Sequence, residues 1–383
     1  MIDKLAKFFK PIASLKLTIF CLACALVLIT VGTLDQVNIG IFEAQNRYFK
    51  SFLLYFPLPG TDLKIPWFFG GYTIGGILLI NLIAAHVARF KFTWKKAGIV
   101  VLHSGLILLL IGQLLTSLFQ VESQMRLDQG EARNYSESFY HDELAIIDTS
   151  APDSDQVISI PDSKLRKGNR VNLPLDSLEV ALGDYYPNSA LINPSQLPSP
   201  DYPHLKLGPM AVAVPVAKTY KQDERNMPAA SVSIFQNGKS VGTWNLAGGF
   251  PKPITFQAGG KSYQIVLRPK RYYKPFFVRL DEFRHDRYAG TDIAKNFSSR
   301  VRLIDQNKHE DRESLIFMNH PLRYAGLTFY QAGFDNNDHT TILQVVKNPS
   351  WLIPYVSCAL MALGMIVQFG MHLTSFVRRR VIA

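Results

Sequence analysis

The chain has three cysteines in 383 residues, and all three, Cys21, Cys24 and Cys358, lie inside long apolar runs. Residues 120–350 contain none, which excludes a disulfide-stapled domain there while leaving an oxidising compartment tolerable. No CxxCH occurs, so the chain is not itself a c-type cytochrome. HExxH, a Ser-centred elbow, a Walker loop and a paired-carboxylate constellation are also missing. Any enzyme activity it serves is therefore expected to reside in a complex in which this chain is an accessory subunit with no catalytic centre of its own. Internal repeats and low-complexity tracts are likewise absent.

Charge is scarce in four places. Uncharged apolar runs of spanning length occur at 17–34, 68–87, 97–119 and 351–376, and about 20 apolar residues cross a bilayer core. Four transmembrane helices are predicted. Ala23-Cys24-Ala25 resembles a signal-peptide cleavage site, but the apolar run continues to Leu34, so an uncleaved anchor is expected. Cys21 and Cys24 stand one turn apart within that helix, far from the polar surroundings that activate a thiol, and are expected to be small packing residues.

Basic residues set the orientation. Lys4, Lys7, Lys10 and Lys16 precede the first run; Arg89, Lys91, Lys95 and Lys96 fill the second-to-third connection; Arg378, Arg379 and Arg380 follow the fourth. Set against Asp3, these account for nearly all of the formal net charge of +11. The high pI is thus a topology signal, and the nearly neutral remainder does not point to nucleic acid. Both termini are expected inside, with an outer loop at 35–67 and one large outer domain at 120–350, periplasmic in a bacterium. The domain plan is a membrane region at 1–119, the outer domain, and a fourth helix with a basic tail at 351–383.

The outer domain is expected to be mostly β, a sandwich or an open barrel. ELAIID (143–148), SVSIF (231–235), SYQIVL (262–267), FFVRLDEF (276–283), SRVRLID (299–305) and ILQVV (342–346) are short and rich in β-branched or aromatic residues. Gln236-Asn237-Gly238 and Ala258-Gly259-Gly260 are turn signals, and the Pro-rich stretch 187–215 is expected to be a long loop. The loop after the first run carries Ile41, Tyr48, Phe49, Phe52, Tyr55 and Phe56 among few charges. Either a short helix in the membrane interface or a loop packed on the β domain fits it.

Two imidazoles stand out. His86 lies near the end of the second run, and His103 lies seven residues after Lys96 in the third. At 1.5 Å per residue they are roughly 5 Å and 10 Å from the basic connection, in the cytoplasmic half of the bilayer. A polar side chain at that depth faces protein, water or a ligand. Gly98, Gly105 and Gly112 recur every seven residues and form a close-packing seam. His103, two residues from Gly105, points about 200° around the helix from it, towards a partner subunit or a cofactor. Neutral imidazole ligates iron, and haem is the apolar metal cofactor that one membrane histidine can hold; a hydrogen bond to a neighbouring helix's carbonyl is the structural alternative for each.

Four stretches carry a family resemblance: TLDQVNIGIFEAQNRYF (33–49), LHSGLILLLIG (102–112), VESQMRLDQGEARNYSESF (121–139) and MNHPLRYAGLTFYQAGF (318–334). On these the chain resembles the ResB/CcsB family of cytochrome c biogenesis proteins. The resemblance implies a subunit of the system II machine that exports haem and supports its attachment to apocytochrome c, working with a CcsA/ResC-type partner in the bacterial inner membrane. That partner carries the tryptophan-rich haem-handling motif, and here the four tryptophans, 67, 94, 244 and 351, are scattered. By resemblance His103 is an axial ligand of haem iron, and His86 is a second candidate. Asn319, Pro321, Tyr324, Gly326, Tyr330 and Gln331 match the family motif, with a strand-turn-strand as their expected role, and His320 is expected to be an exposed turn residue. The outer histidines 141, 204, 285, 309 and 339 show no metal spacing. Two other readings stay open: a chaperone subunit that never touches haem, and a b-type electron carrier with haem between His86 and His103.

Overall fold

The computed structural model describes residues 11–58, 60–61, 63–89, 93–152, 154–219, 224–249, 253–290, 294–335 and 339–382. Lys4, Lys7, Lys10, Asp3 and Lys91 of the basic-flank argument lie outside the described residues. The chain divides into two compact units, Met1–Val121 with Lys347–Ala383, and Glu122–Val346.

The first unit is built on four helices: α1 (Leu15–Ile39), α2 (Gly71–Arg89), α3 (Ala97–Phe119) and α4 (Ile353–Ile382). Three are long and apolar enough to cross a membrane, over Leu15–Ile39, Ala97–Phe119 and Ile353–Arg378. The second run gives a shorter apolar helix, Gly71–Val87, so that of the four spans expected from the sequence three are long enough among the described residues. Phe68 and Phe69 belong instead to a strand, and backbone contact fixes the helix start. Gly70 N donates to Phe52 O (2.9 Å), and a Cβ at Gly70 or Gly71 would overlap the backbone of Ser51 or Phe49.

Segment 40–69 is a short helix (Ile41–Ala44), a π turn (Gln45–Phe49) and an antiparallel hairpin of β1 (Leu53–Pro57) and β2 (Lys64–Phe69). A hairpin stands where either an interfacial helix or a packed loop was expected. Tyr48 is buried against Gly32, and its hydroxyl donates to Asp35 Oδ2 (2.8 Å) with Arg47 beside it. That contact explains three residues of the 33–49 motif structurally. Cys21 and Cys24 are free thiols buried with Leu28, Ala44, Tyr48, Leu54 and Ile74, as the packing reading expects.

In the second unit the strands are β3 (Val121–Asp128), β4 (Ala132–Asp148), β5 (Gln156–Pro161), β6 (Arg170–Asn172), β7 (Leu178–Tyr186), β8 (Ser189–Ile192), β9 (Leu205–Lys206) and β10 (Val212–Pro215). They continue with β11 (Ala229–Gln236), β12 (Lys239–Ala247), β13 (Ile254–Ala258), β14 (Lys261–Arg287), β15 (Ala294–Asp305), β16 (Glu310–Phe317), β17 (Leu322–Tyr324), β18 (Leu327–Asp335) and β19 (Thr340–Lys347). All six sequence-predicted strands fall inside these. Both turn signals hold: Asn237-Gly238 and Gly259-Gly260 have paired positive φ, as two-residue hairpins with right-handed strand twist require.

Both expected β architectures occur, one in each half. The four-stranded sheet β12-β11-β7-β6 packs on β4, β5, β13 and β14 of a ten-stranded sheet, enclosing Leu144, Ile146, Val180, Val232, Ile234, Tyr263 and Ile265. A second core, with Met125, Phe276, Val278, Val301, Phe329 and Leu343, draws every residue from the ten-stranded sheet itself, which therefore curls over its own apolar face. β14 serves both cores. It buries odd positions 263, 265 and 267 in the first and even positions 276, 278 and 280 in the second. Between the two stretches lie two register shifts against β4, at Pro269/Arg271, where β4 carries three extra residues, and at Tyr273/Val278, where β14 does.

The Pro-rich stretch is not one loop: β8, β9 and β10 form a small sheet within it. Its prolines occupy positions that need no N–H, such as Pro194 opening a short 3-10 turn behind an Asn193 cap, and Pro215 closing β10.

Candidate functional site

Helix α3 has two working sides. On one, Gly98, Gly105 and Gly112 are buried against α4. A Cβ at Gly98 would lie 2.6 Å from Gln368 N and 2.7 Å from Gly364 O, and one at Gly105 would lie 2.8 Å from Met361 Cγ. Gly364 answers from α4, where a Cβ would come within 2.5 Å of Leu102 N. Backbones this close need residues without side chains, which is the reason for the seven-residue glycine spacing.

The seam fixes the other side. His103 points away from it, as the helical wheel predicts, and meets His86 of α2 with ring centroids 5.1 Å apart and planes at 72°. The roughly one-turn difference in depth expected between them does not separate the rings. Both imidazoles are half-buried. His86 Nδ1–H donates to Leu82 O at 2.9 Å, one turn back on its own helix, which sets the ring's tautomer and leaves Nε2 as its lone-pair atom. By contrast, the amide of Asn81 on the same helix is fully engaged with protein: its Nδ2 donates to Ile12 O and Ser14 O, and Thr18 Oγ1 donates to its Oδ1.

The donor set, two imidazoles on helices of the first unit, is of the kind that ligates haem iron. It does not fit a haem held between the two. With metal–nitrogen bonds of about 2 Å, imidazoles on opposite faces of one iron have centroids roughly 6 Å apart, and the observed 5.1 Å leaves no width for a macrocycle. In this arrangement the two rings are closer than a haem between them would hold them.

Several of the other sequence-predicted residues have structural partners within the β unit. Tyr324 donates to Asp305 Oδ2 (2.7 Å) and stands edge-on to Phe276; Gln331 accepts from Ser299 and donates to Thr341. Tyr324-Ala325-Gly326-Leu327 is the turn of the β17–β18 hairpin, with positive φ at Ala325 and Gly326. This is the strand-turn-strand expected of the motif. His320 is exposed and stacks on Phe317. His141 lies 3.4 Å from Asp162, and His204 Nδ1 lies 2.8 Å from Tyr202 O. Among the described residues no group of three or more His, Cys, Asp or Glu is arranged to hold a metal ion.

Two buried polar centres escaped the sequence reading. Glu143 and Arg268 form an ion pair at 3.0 Å with side-chain exposures of 2% and 8%. Lys274 is buried with its Nζ donating to Ser136 Oγ (2.6 Å) and Tyr272 O (2.9 Å), and burial pushes its amine down to about 8. Arg268 and Lys274 bracket the parity change of β14, where alternation fails as a guide to which side is inside.

Comparison with known proteins bears on the β unit. Residues 249–342 match the model of the ResB-like family, a span from β13 to the start of β19 that includes the 318–334 motif. A 124-residue stretch is 31% identical to protein NrfI of Wolinella succinogenes; it covers 32% of this chain and 14% of that relative's length. His86 and His103 lie outside the family match. The chain's own 318–334 hairpin motif lies inside the matched region, and over that stretch the chain is similar to the ResB-like family.

Proposed function

We propose that the chain acts in cytochrome c biogenesis, as a subunit of a membrane complex that exports haem and supports its attachment to the CxxCH motif of apocytochrome c. Haem is the cargo, entering from the cytoplasmic half of the bilayer. His103 supplies one axial ligand, and the second comes from a CcsA/ResC-type partner, a reading that the 5.1 Å approach of His86 supports. The partner then takes haem outward and presents its vinyl groups to the two cysteine thiols. The β unit lies on the outer, periplasmic side, where it holds the apocytochrome or positions the partner, with both chain termini in the cytoplasm. His86 positions His103 by packing against its ring.

The observation that supports this most is the placement of His103: opposite a glycine seam, on a membrane-grade helix, beside a second imidazole, in a chain similar to the ResB-like family over residues 249–342. The test is to co-purify the chain with its partner in detergent and record haem spectra. In His103→Ala we expect haem occupancy to fall several-fold and added imidazole to restore part of it; His86→Ala is expected to fall less. Unchanged haem content in His103→Ala overturns the ligand role and favours a chaperone subunit that never binds haem. Haem kept by the chain without its partner would favour the electron-carrier reading.

A further inference from the structure

The β1–β2 hairpin differs from strands of the second unit such as β7, β11 and β19, which bury alternate residues; in the outer half of this hairpin neither face is buried. Tyr55 pairs with Pro66 and Phe56 with Ile65, so Tyr55 and Phe56 point to opposite faces, yet they are 47% and 55% exposed. Trp67, at the register shift between Leu54 and Tyr55, is 49% exposed.

A protein partner laid on a hairpin covers one face or adds a strand to an edge. Here both faces are apolar, and Pro57 and Pro66 remove donors that an added strand would need. Surroundings that are apolar on all sides account for the pattern better. Exposed apolar residues also continue along the chain from α1 to the hairpin, with Leu34, Val37, Ile41, Phe49 and Phe52, alongside exposed Asn38, Gln45 and Arg47. The base is rigidly mounted on the helix that follows. Tyr72 N donates to Ser51 O and Thr73 Oγ1 to Phe52 O. Lys50 and Lys64 are the only charged side chains among the described residues of 50–69, and both are exposed. Aromatic rings with flanking lysines are the chemistry of the headgroup layer, where rings sit at the boundary and ammonium groups reach phosphate.

We propose that the β1–β2 hairpin is immersed in the headgroup layer of a phospholipid bilayer, with lipid contacting both faces and Lys50 and Lys64 on lipid phosphates. It is then an in-plane anchor between α1 and α2, supplementing the shorter reach of α2.

The full chain, with Trp67 as its single tryptophan (Trp94→Phe, Trp244→Phe, Trp351→Phe), is reconstituted into vesicles of phosphatidylcholine and phosphatidylglycerol. Emission is quenched either by lipids brominated high on the acyl chain or by iodide in the water. The expected result is several-fold stronger quenching by the brominated lipid than by iodide. If the triple variant does not fold, the difference in quenching between the native chain and Trp67→Phe isolates the same ring. Iodide quenching approaching that of free tryptophan, with none from brominated lipid, overturns the proposal. So does shielding of Trp67 that arises only on adding a partner protein, which would make the hairpin a protein-docking element.

Discussion

Ile366 on α4 is 70% exposed and Met210, beside the small sheet of the β unit, is 72% exposed. The numbers are alike and their physical meaning is opposite. In the helical unit the α3–α4 contact buries small or polar residues, Gly98, Gly105, Gly112 and Ser357, while Leu26, Leu34, Ile366 and Phe369 face outward. In the β unit Tyr263, Phe276 and Phe329 are fully enclosed and charge lies outside. Water drives large apolar groups inward at about 25 cal/mol per Å²; hydrocarbon gives no such drive, so helices there associate through close backbone contact. Each unit is ordered correctly for a different solvent.

The buried Glu143–Arg268 pair is an exception to the β unit's rule, and breaking it gives the largest expected effect. Glu143 accepts from Arg268 Nε and Ser159 Oγ in the interior, beside the first core. Glu143→Leu strands a buried guanidinium and is expected to destabilise the unit by about 3–5 kcal/mol; pairing it with Arg268→Met should recover most of that. Denaturant unfolding of the solubilised chain, followed by Trp244 fluorescence, measures both, because Trp244 packs against Phe256 of the same core. Equal loss in the single and double variants would mean that volume, not charge, dominates there.

The opening pair gives the next effect. Ile366→Lys should cost about 3 kcal/mol in membrane insertion, the value for a lysine near the middle of a spanning helix. Met210→Lys, at the same exposure, should lie within about 0.5 kcal/mol of the native chain. Glycosylation-tagged insertion assays read the first and thermal unfolding the second. Equal tolerance at both positions would mean that α4 does not face lipid at Ile366.

How far the sequence foretold this depends on which physical signal each segment carries. The long uncharged runs marked the three long helices because composition alone tells hydrocarbon from water. Six strands showed through β-branched residues and alternation, and the glycine period gave the direction of His103. The hairpin at 53–69 did not show, since apolar strand and apolar helix look alike over a short aromatic run; Pro66 and Gly70-Gly71 were the signals against a helix starting at Phe68. β8 to β10 are two to four residues long, too short for any period. The contact of His103 with His86 needed side-chain placement across two helices, which spacing along either helix cannot supply.

The smallest effect sharpens the contrast at the point where β14 changes cores. Lys274 is a second buried cation of the β unit, its amine met by a hydroxyl and a carbonyl, with Ser123 bonded to Ser136 behind it (2.7 Å). Burial lowers the folded-state value from 10.5 to about 8. Below that the amine is protonated in both states and the burial penalty is fully present. Between about 8 and 10.5 the unfolded chain holds a proton that the folded chain has released, so stability rises with pH, and above this window the penalty is gone. The shift corresponds to about 3 kcal/mol at about 1.4 kcal/mol per unit, partly offset by the two hydrogen bonds at about 1 kcal/mol each. Lys274→Met is therefore expected to stabilise the β unit by about 1 kcal/mol at pH 7, with the gain disappearing and then reversing above pH 10. Parallel urea titrations at pH 7 and pH 10.5 measure it. A gain that is independent of pH would assign the effect to side-chain packing and leave the amine no electrostatic part in it.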